Sequence, residues 1–209
     1  MTVFAILAYP GIEPIDIGAT HGVLSMATRV TSDLSFHVLS KAGGEVAMAN
    51  GLSILANHGF GDAPAADILM VLGGPGWSEA AEDPRILSYI RAFHADGGTV
   101  AAVCTGGMIL AAAGVLDGGP ATTKREIVAG EARPLDLLGQ RYGAVEVVEA
   151  RFVDRGRVLT GGGVSLGIDM TLHLIERVAG ARAARETARI LEYATAWEAN
   201  RAAFPGLVV

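Results

Sequence analysis

A single cysteine, Cys104, lies in the stretch Thr99-Val100-Ala101-Ala102-Val103-Cys104-Thr105-Gly106-Gly107-Met108-Ile109-Leu110. A short β-branched and small apolar run leads into it, and two glycines and an apolar helical run follow. A strand feeding a sharp turn that feeds a helix holds a side chain out over the end of a sheet. The same turn sets the sulfur at a helix N-terminus, where the dipole and free amides favour a thiolate. Composition alone would make a free cysteine a small buried hydrophobe. The turn makes Cys104 a candidate nucleophile, with the Thr105 hydroxyl beside it.

What could assist a nucleophile there? Gly73-Gly74 close the apolar run 67–72. Glycines at a strand's carboxyl end let backbone N–H groups point at a developing anion, although such a pair also serves loops that need positive φ. Pro75 has no N–H, so Gly74, Thr105 and Gly106 are the better donors. Asp16 stands between Ile15 and Ile17 near a helix start. It is either a cap or dipole partner, or a half-buried acid with a raised pKa that carries protons. Glu13, nearer the loop, is the fallback. His21, His37, His58, His94 and His173 fall in no motif, so the pairing expected is cysteine with carboxylate rather than cysteine with histidine. No His/Cys/Asp/Glu cluster has ligand spacing, and neither a dinucleotide fingerprint nor a P-loop occurs, so no metal is expected.

The elements that must position these groups are read from periodicity and punctuation. The run 3–9 is near-continuously apolar, as a strand covered on both faces requires. Pro10-Gly11 end it and Pro14 opens a helix over roughly 15–28. A second strand covers 34–40, and Asn50-Gly51 between apolar runs marks a hairpin over 45–55. Asp83-Pro84 cap a helix whose Ile86, Ile90 and Phe93 share a face. Residues 126–138 read as a helix broken at Pro134. Short strands follow at 145–148, 151–153 and 158–160, then a helix over 164–178, a break at Gly180, and a last helix over 181–193. Alternation at this spacing predicts one α/β domain over 1–209: a mostly parallel sheet with helices on both faces and the hairpin as an appendage. In such sheets the site lies at the carboxyl ends of the strands, where the turns after Tyr9, Leu72 and Val103 converge.

Bulk properties agree with a compact globular chain. Of 209 residues, 51% are hydrophobic and 18% charged, and 16 basic against 22 acidic residues give a net charge of -6. That balance offers no basic footprint for nucleic acid or an anionic membrane. Arg182, Arg185 and Arg189, interrupted by Glu186, read as a solvated helical stripe. One cysteine excludes an internal disulfide and fits a reducing compartment. The N-terminal run has no basic flank or cleavage site, and no stretch suits a membrane span, so a cytoplasmic protein is expected.

Taken in order, Tyr9-Pro10-Gly11 with Ile15-Asp16-Ile17-Gly18, Gly73-Gly74, Ala102-Val103-Cys104-Thr105-Gly106-Gly107, Ala121-Thr122-Thr123 and Thr160-Gly161-Gly162-Gly163-Val164-Ser165-Leu166-Gly167-Ile168-Asp169 resemble the ThiJ/PfpI superfamily. The resemblance implies a flavodoxin-like three-layer sandwich. Asp16 with Cys-Thr-Gly at the elbow is similar to the isonitrile hydratase branch, whose members hydrate an isocyanide to an N-formamide. It implies that Cys104 attacks the isocyanide carbon to give a thioimidate, that Asp16 handles the protons and that Thr105 assists. It further implies a small-molecule substrate, no cofactor and a homodimer. Where relatives often carry a histidine after Thr-Thr, this chain has Lys124, read as exposed. Other branches imply a glyoxalase or deglycase activity on dicarbonyls, or a redox sensor without a substrate. The fold also serves as the sensor domain of transcription regulators, where a helix-turn-helix domain follows; a chain ending at Val209 is expected to lack one.

Overall fold

In the computed structural model, which describes residues 1–209, eleven strands form in chain order: β1 (Thr2–Leu7), β2 (Leu34–Leu39), β3 (Ala42–Ala47), β4 (Ser53–Gly59), β5 (Ile68–Val71), β6 (Thr99–Ala102), β7 (Pro120–Ala121), β8 (Glu146–Val147), β9 (Phe152–Asp154), β10 (Val158–Gly161) and β11 (Leu207–Val208). Nine of them make one sheet in the order β11-β9-β10-β6-β5-β1-β2-β4-β3. At its centre β2, β1, β5, β6 and β10 run parallel. The chain passes from β1 to β2 on one side and then crosses to β5 on the other, so β1 and β5 flank the point where strand order reverses. Crevices beyond the strand ends at such a point are where doubly wound folds bind ligands. Phe4–Leu7, Leu69–Val71 and Val100–Ala102 are fully buried, consistent with their unalternating apolar sequences.

The helices are α1 (Pro14–Ile17), α2 (Val23–Ala27), α3 (Trp77–Glu82), α4 (Pro84–Ala95), α5 (Gly106–Ala112), α6 (Pro134–Arg141), α7 (Leu166–Ile190) and α8 (Ala194–Ala203). A π-helical turn, Gly18–Gly22, joins α1 to α2. α4 starts as its sequence predicts, the Asp83 carboxylate accepting from the Arg85 and Ile86 amides. α7 is interrupted at Gly180, whose φ of 86° ends one helical run and begins the next.

Two expectations need correcting. Pro134 begins α6 rather than breaking a helix, and 126–131 is irregular. A proline lacks the N–H that a helix interior needs and has the φ that a first turn wants. The hairpin of β3 and β4 also runs beyond 45–55, over 42–59, and hangs from the sheet's edge as expected, where β4 pairs with β2 at Leu39 and His58. It braces the loop after β1: Gly11 N–H donates to Ala47 O (2.9 Å) and Ala49 N–H to Ile12 O (2.9 Å).

Behind the sheet's far half, a buried polar knot ties α7 and α8 to the strands. Arg151 Nη1 donates to Asp169 Oδ1 (2.8 Å), and Tyr193 Oη (2.8 Å) and Asn200 Nδ2 (3.0 Å) donate to Asp169 Oδ2. Asp169 is wholly buried and Arg151 nearly so. Removing one member of a buried ion pair strands the other in low dielectric. Arg151→Ala is therefore expected to lower unfolding free energy by about 3 kcal/mol or more, and Tyr193→Phe by about 1 kcal/mol, as read from urea denaturation.

Candidate active site

Three loops leave β1, β5 and β6 at the same edge of the sheet and meet at Cys104. The cysteine is a left-handed non-glycine residue (φ 55°) between β6 and α5. Such a backbone costs of the order of 1–3 kcal/mol and persists only where its surroundings fix it. Here Val103 N–H donates to Val71 O (3.1 Å), Cys104 N–H to Gly162 O (3.1 Å), and Thr123 Oγ1 to Cys104 O (2.6 Å). Bonds from β5, from the loop ahead of α7 and from Thr123 thus hold the elbow.

Asp16, in the first turn of α1, is fully buried beside Cys104, close enough that each group shifts the titration of the other. Its Oδ2 accepts from Gly73 N–H (2.9 Å), while Oδ1 has no hydrogen-bond partner. Thr20 Oγ1 donates to Asp16 O (2.9 Å) as the π turn begins. Burial lifts the Asp16 carboxyl to about 6; the Gly73 amide, the thiol and Lys124 oppose this, and the charge of Glu13 adds to it. Cys104 is pushed up to about 12, by burial and then by the Asp16 charge, although the Val164 and Thr105 amides favour its anion. The thiolate-favouring setting read from the sequence is thus reversed. An elbow closed from solvent loses more by desolvation than two amides return. Both shifts favour a thiol beside a carboxylate at neutral pH.

The glycines hold this pair in place. Gly73 N–H is committed to Asp16, Gly74 N–H donates to Thr105 Oγ1 (2.9 Å) and Gly106 N–H to Val103 O (3.0 Å). The amides turned to the sulfur are those of Thr105 and Val164. Gly74 has φ 142°, and a Cβ there would lie 2.3 Å from Glu13 N, so no other residue lets the two loops approach so closely. Thr105 is buried, and its hydroxyl bonds Gly74 rather than facing the cavity alone.

Two contributors carry no chemical signal in the sequence. Tyr9, 2% exposed, donates its hydroxyl to Leu72 O (2.7 Å). That carbonyl belongs to the peptide whose N–H holds Asp16, so the phenol polarises the bond fixing the carboxylate. Val164 takes φ 58°, which a β-branched residue rarely adopts, and no pattern announces it. Lys124 is not simply exposed: it is half-buried and lines the cavity with Cys104. Glu13 sits in the cavity wall, whereas Asp16 is the acid at the sulfur. The cavity measures about 450 Å³, with Ile15, Trp77, Ile127 and Pro134 as its apolar walls.

Residues 1–177 match the DJ-1/PfpI family. The chain belongs to that family. Among curated relatives, the isonitrile hydratase of Pseudomonas putida is 34% identical over 190 residues, 91% of this chain and 78% of that protein. The HTH-type transcriptional regulator CdhR of Pseudomonas aeruginosa is 30% identical over 178 residues, 85% of this chain but 51% of that protein. The chain therefore spans about half the length of the regulator. A solved THiJ/PfpI family protein from Pseudomonas syringae superposes with a TM-score of 0.79 at 26% identity, covering 98% of this chain and 87% of that one. The DJ-1/PfpI assignment agrees with the resemblance read from the motifs around Cys104. No helix is long and apolar enough to cross a membrane.

If the Asp16 charge holds the thiol protonated, Asp16→Asn will make Cys104 more reactive toward iodoacetamide at pH 8, not less. Slower or unchanged alkylation would contradict the assigned resting state. Tyr9→Phe should cost about 1 kcal/mol of stability and move the Asp16 titration, followed as a carboxyl infrared band absent in Asp16→Asn, to higher pH.

Proposed function

We propose that the chain is an isonitrile hydratase-like lyase that converts an isocyanide to an N-formamide without a cofactor. The observation that carries the reading is a buried carboxylate, Asp16, set beside the Cys104 thiol. Its relative from Pseudomonas putida supports it. As sulfur bonds to the isocyanide carbon, Asp16 takes the thiol proton and delivers it to that carbon, leaving a thioimidate, R–N=CH–S–Cys104. Water then adds to the same carbon, Asp16 relaying one of its protons to the imidate nitrogen. The C–S bond breaks as the proton of the new hydroxyl passes through Asp16 to the sulfur, and R–NH–CHO departs. An acceptor with a pKa near 6 is ionised at neutral pH yet basic enough for these transfers. The amides of Thr105 and Val164 stabilise the sulfur anion as it forms and as it leaves. In this reading the small-molecule substrate occupies the apolar cavity and the working assembly is a homodimer.

A second reading draws on the CdhR relationship: a ligand-binding domain that performs no turnover. Oxidation sensing is disfavoured because a buried thiol with a raised pKa is a poor peroxide target. Dicarbonyl turnover is a further reading without an observation specific to it.

Purified protein is expected to form N-cyclohexylformamide from cyclohexyl isocyanide, detected by chromatography. Cys104→Ala should abolish turnover, and Asp16→Asn should reduce it about a hundredfold or more. As pH falls through about 6 the Asp16 carboxyl gains a proton and can no longer accept one, so kcat/KM should drop on that acid limb. Binding of isocyanide without formamide would favour the second reading, and turnover of methylglyoxal without glutathione the dicarbonyl one.

A further inference from the structure

A second concavity is larger than the one at Cys104. A groove of about 710 Å³ runs between the end of α2 and the second half of α7, and it shares no residue with the catalytic cavity. Its rim carries Arg29 from the turn after α2, and Arg182, Arg185 and Arg189 from α7. Taken alone, the α7 stripe is a solvated face. The fold changes that by bringing Arg29 across from another element, so arginines from two elements line one groove.

The local carboxylates do not neutralise this cluster. Glu186 is held by Arg189 through two bonds (2.9 and 2.7 Å), and Asp33 Oδ2 accepts from Thr31 Oγ1 (3.0 Å). Arg29 has only the Met26 sulfur as a partner (3.6 Å), and Arg182 and Arg185 make no ion pair or side-chain hydrogen bond. Arg29, Arg182 and Arg185 thus line one groove without an ion pair, alongside the Asp33 carboxylate, in a chain whose net charge is -6. Like charges gathered in a hollow repel each other unless an anion joins them. The planar fork of arginine matches phosphate oxygens in pairs. Val30, Ala183 and Ile190 add an apolar floor.

We propose that this groove binds a compact oligophosphate, either free or carried by a nucleotide. Closely spaced phosphates match three forks lining one groove better than a lone carboxylate does, and the volume suits a ligand of nucleotide size. A long nucleic-acid strand is disfavoured, because beyond the groove it would run over an acidic surface.

The test is isothermal titration calorimetry of the full chain at low salt with inorganic triphosphate, ATP and adenosine as separate titrants. Saturable one-to-one binding of triphosphate and ATP is expected, weakening as salt is added. Arg182→Ala/Arg185→Ala should weaken it about tenfold or more, with the thermal unfolding midpoint and the alkylation rate of Cys104 unchanged. ATP binding more tightly than triphosphate would identify the nucleotide as the carrier; equal affinities would identify the phosphate chain alone. The proposal is overturned if neither anion binds saturably at millimolar concentration, if the double variant binds as the parent does, or if a single-stranded oligonucleotide binds far more tightly than either.

Discussion

A carboxylate sealed from water depends on every polar group within reach, and that dependence organises the catalytic half of this protein. Asp16 can be buried because Gly73 N–H meets one oxygen and the Cys104 thiol lies beside the group. Gly73 is aimed by the turn after β5, which Gly74 closes against the loop from β1. That loop is braced by the edge hairpin, and Tyr9 supports the same peptide from beneath. Three crossovers of the sheet thus serve one carboxyl group, and each would be mispositioned if the others relaxed.

Backbone strain is gathered at the same place. Cys104 and Val164 are both left-handed, and the Val164 amide leans on the Cys104 sulfur. The Arg151–Asp169 pair connects this region to the rest of the domain, since Arg151 O accepts from Gly162 N–H (2.9 Å) and Gly162 O accepts from Cys104 N–H. Packing remote from the reaction therefore helps to hold the sulfur in an unfavourable backbone geometry, which is how pre-organisation is stored in a rigid fold. The burial that secures this geometry also raises the pKa of the thiol, against the pull of the neighbouring amides.

How much of this was legible in the residues varies with the kind of signal. Among the five central strands, β1, β5 and β6 announce themselves as unalternating apolar runs, and Asp83-Pro84 and Asn50-Gly51 mark a helix cap and a hairpin turn by local chemistry alone. Cys104, Asp16 and the two glycines after β5 stand out because their types are unusual in otherwise apolar surroundings. Short pieces such as β7 and β11 are invisible because two residues have no period, and their pairing is decided by tertiary contacts. α3 and α8 carry little amphipathic contrast and went unseen for a similar reason. Pro134 misled because a proline after a helix-like pattern reads equally well as a break or as a beginning. The state of the thiol was not readable either: desolvation is a property of the assembled site, and no residue encodes it singly.

The π turn at Gly18–Gly22 has a further consequence. In an uninterrupted α-helix the azimuth of every side chain is fixed by any one of them, at about 100° per residue. The face that α2 buries against α7 would then dictate where Asp16 points. A π turn takes in one additional residue and so resets the phase between the two halves. Ala19 O accepts from Thr171 Oγ1 (2.9 Å) on α7, which ties the turn to that helix. The segment works as a rotary coupling, letting the core choose the orientation of α2 while the sulfur chooses that of Asp16.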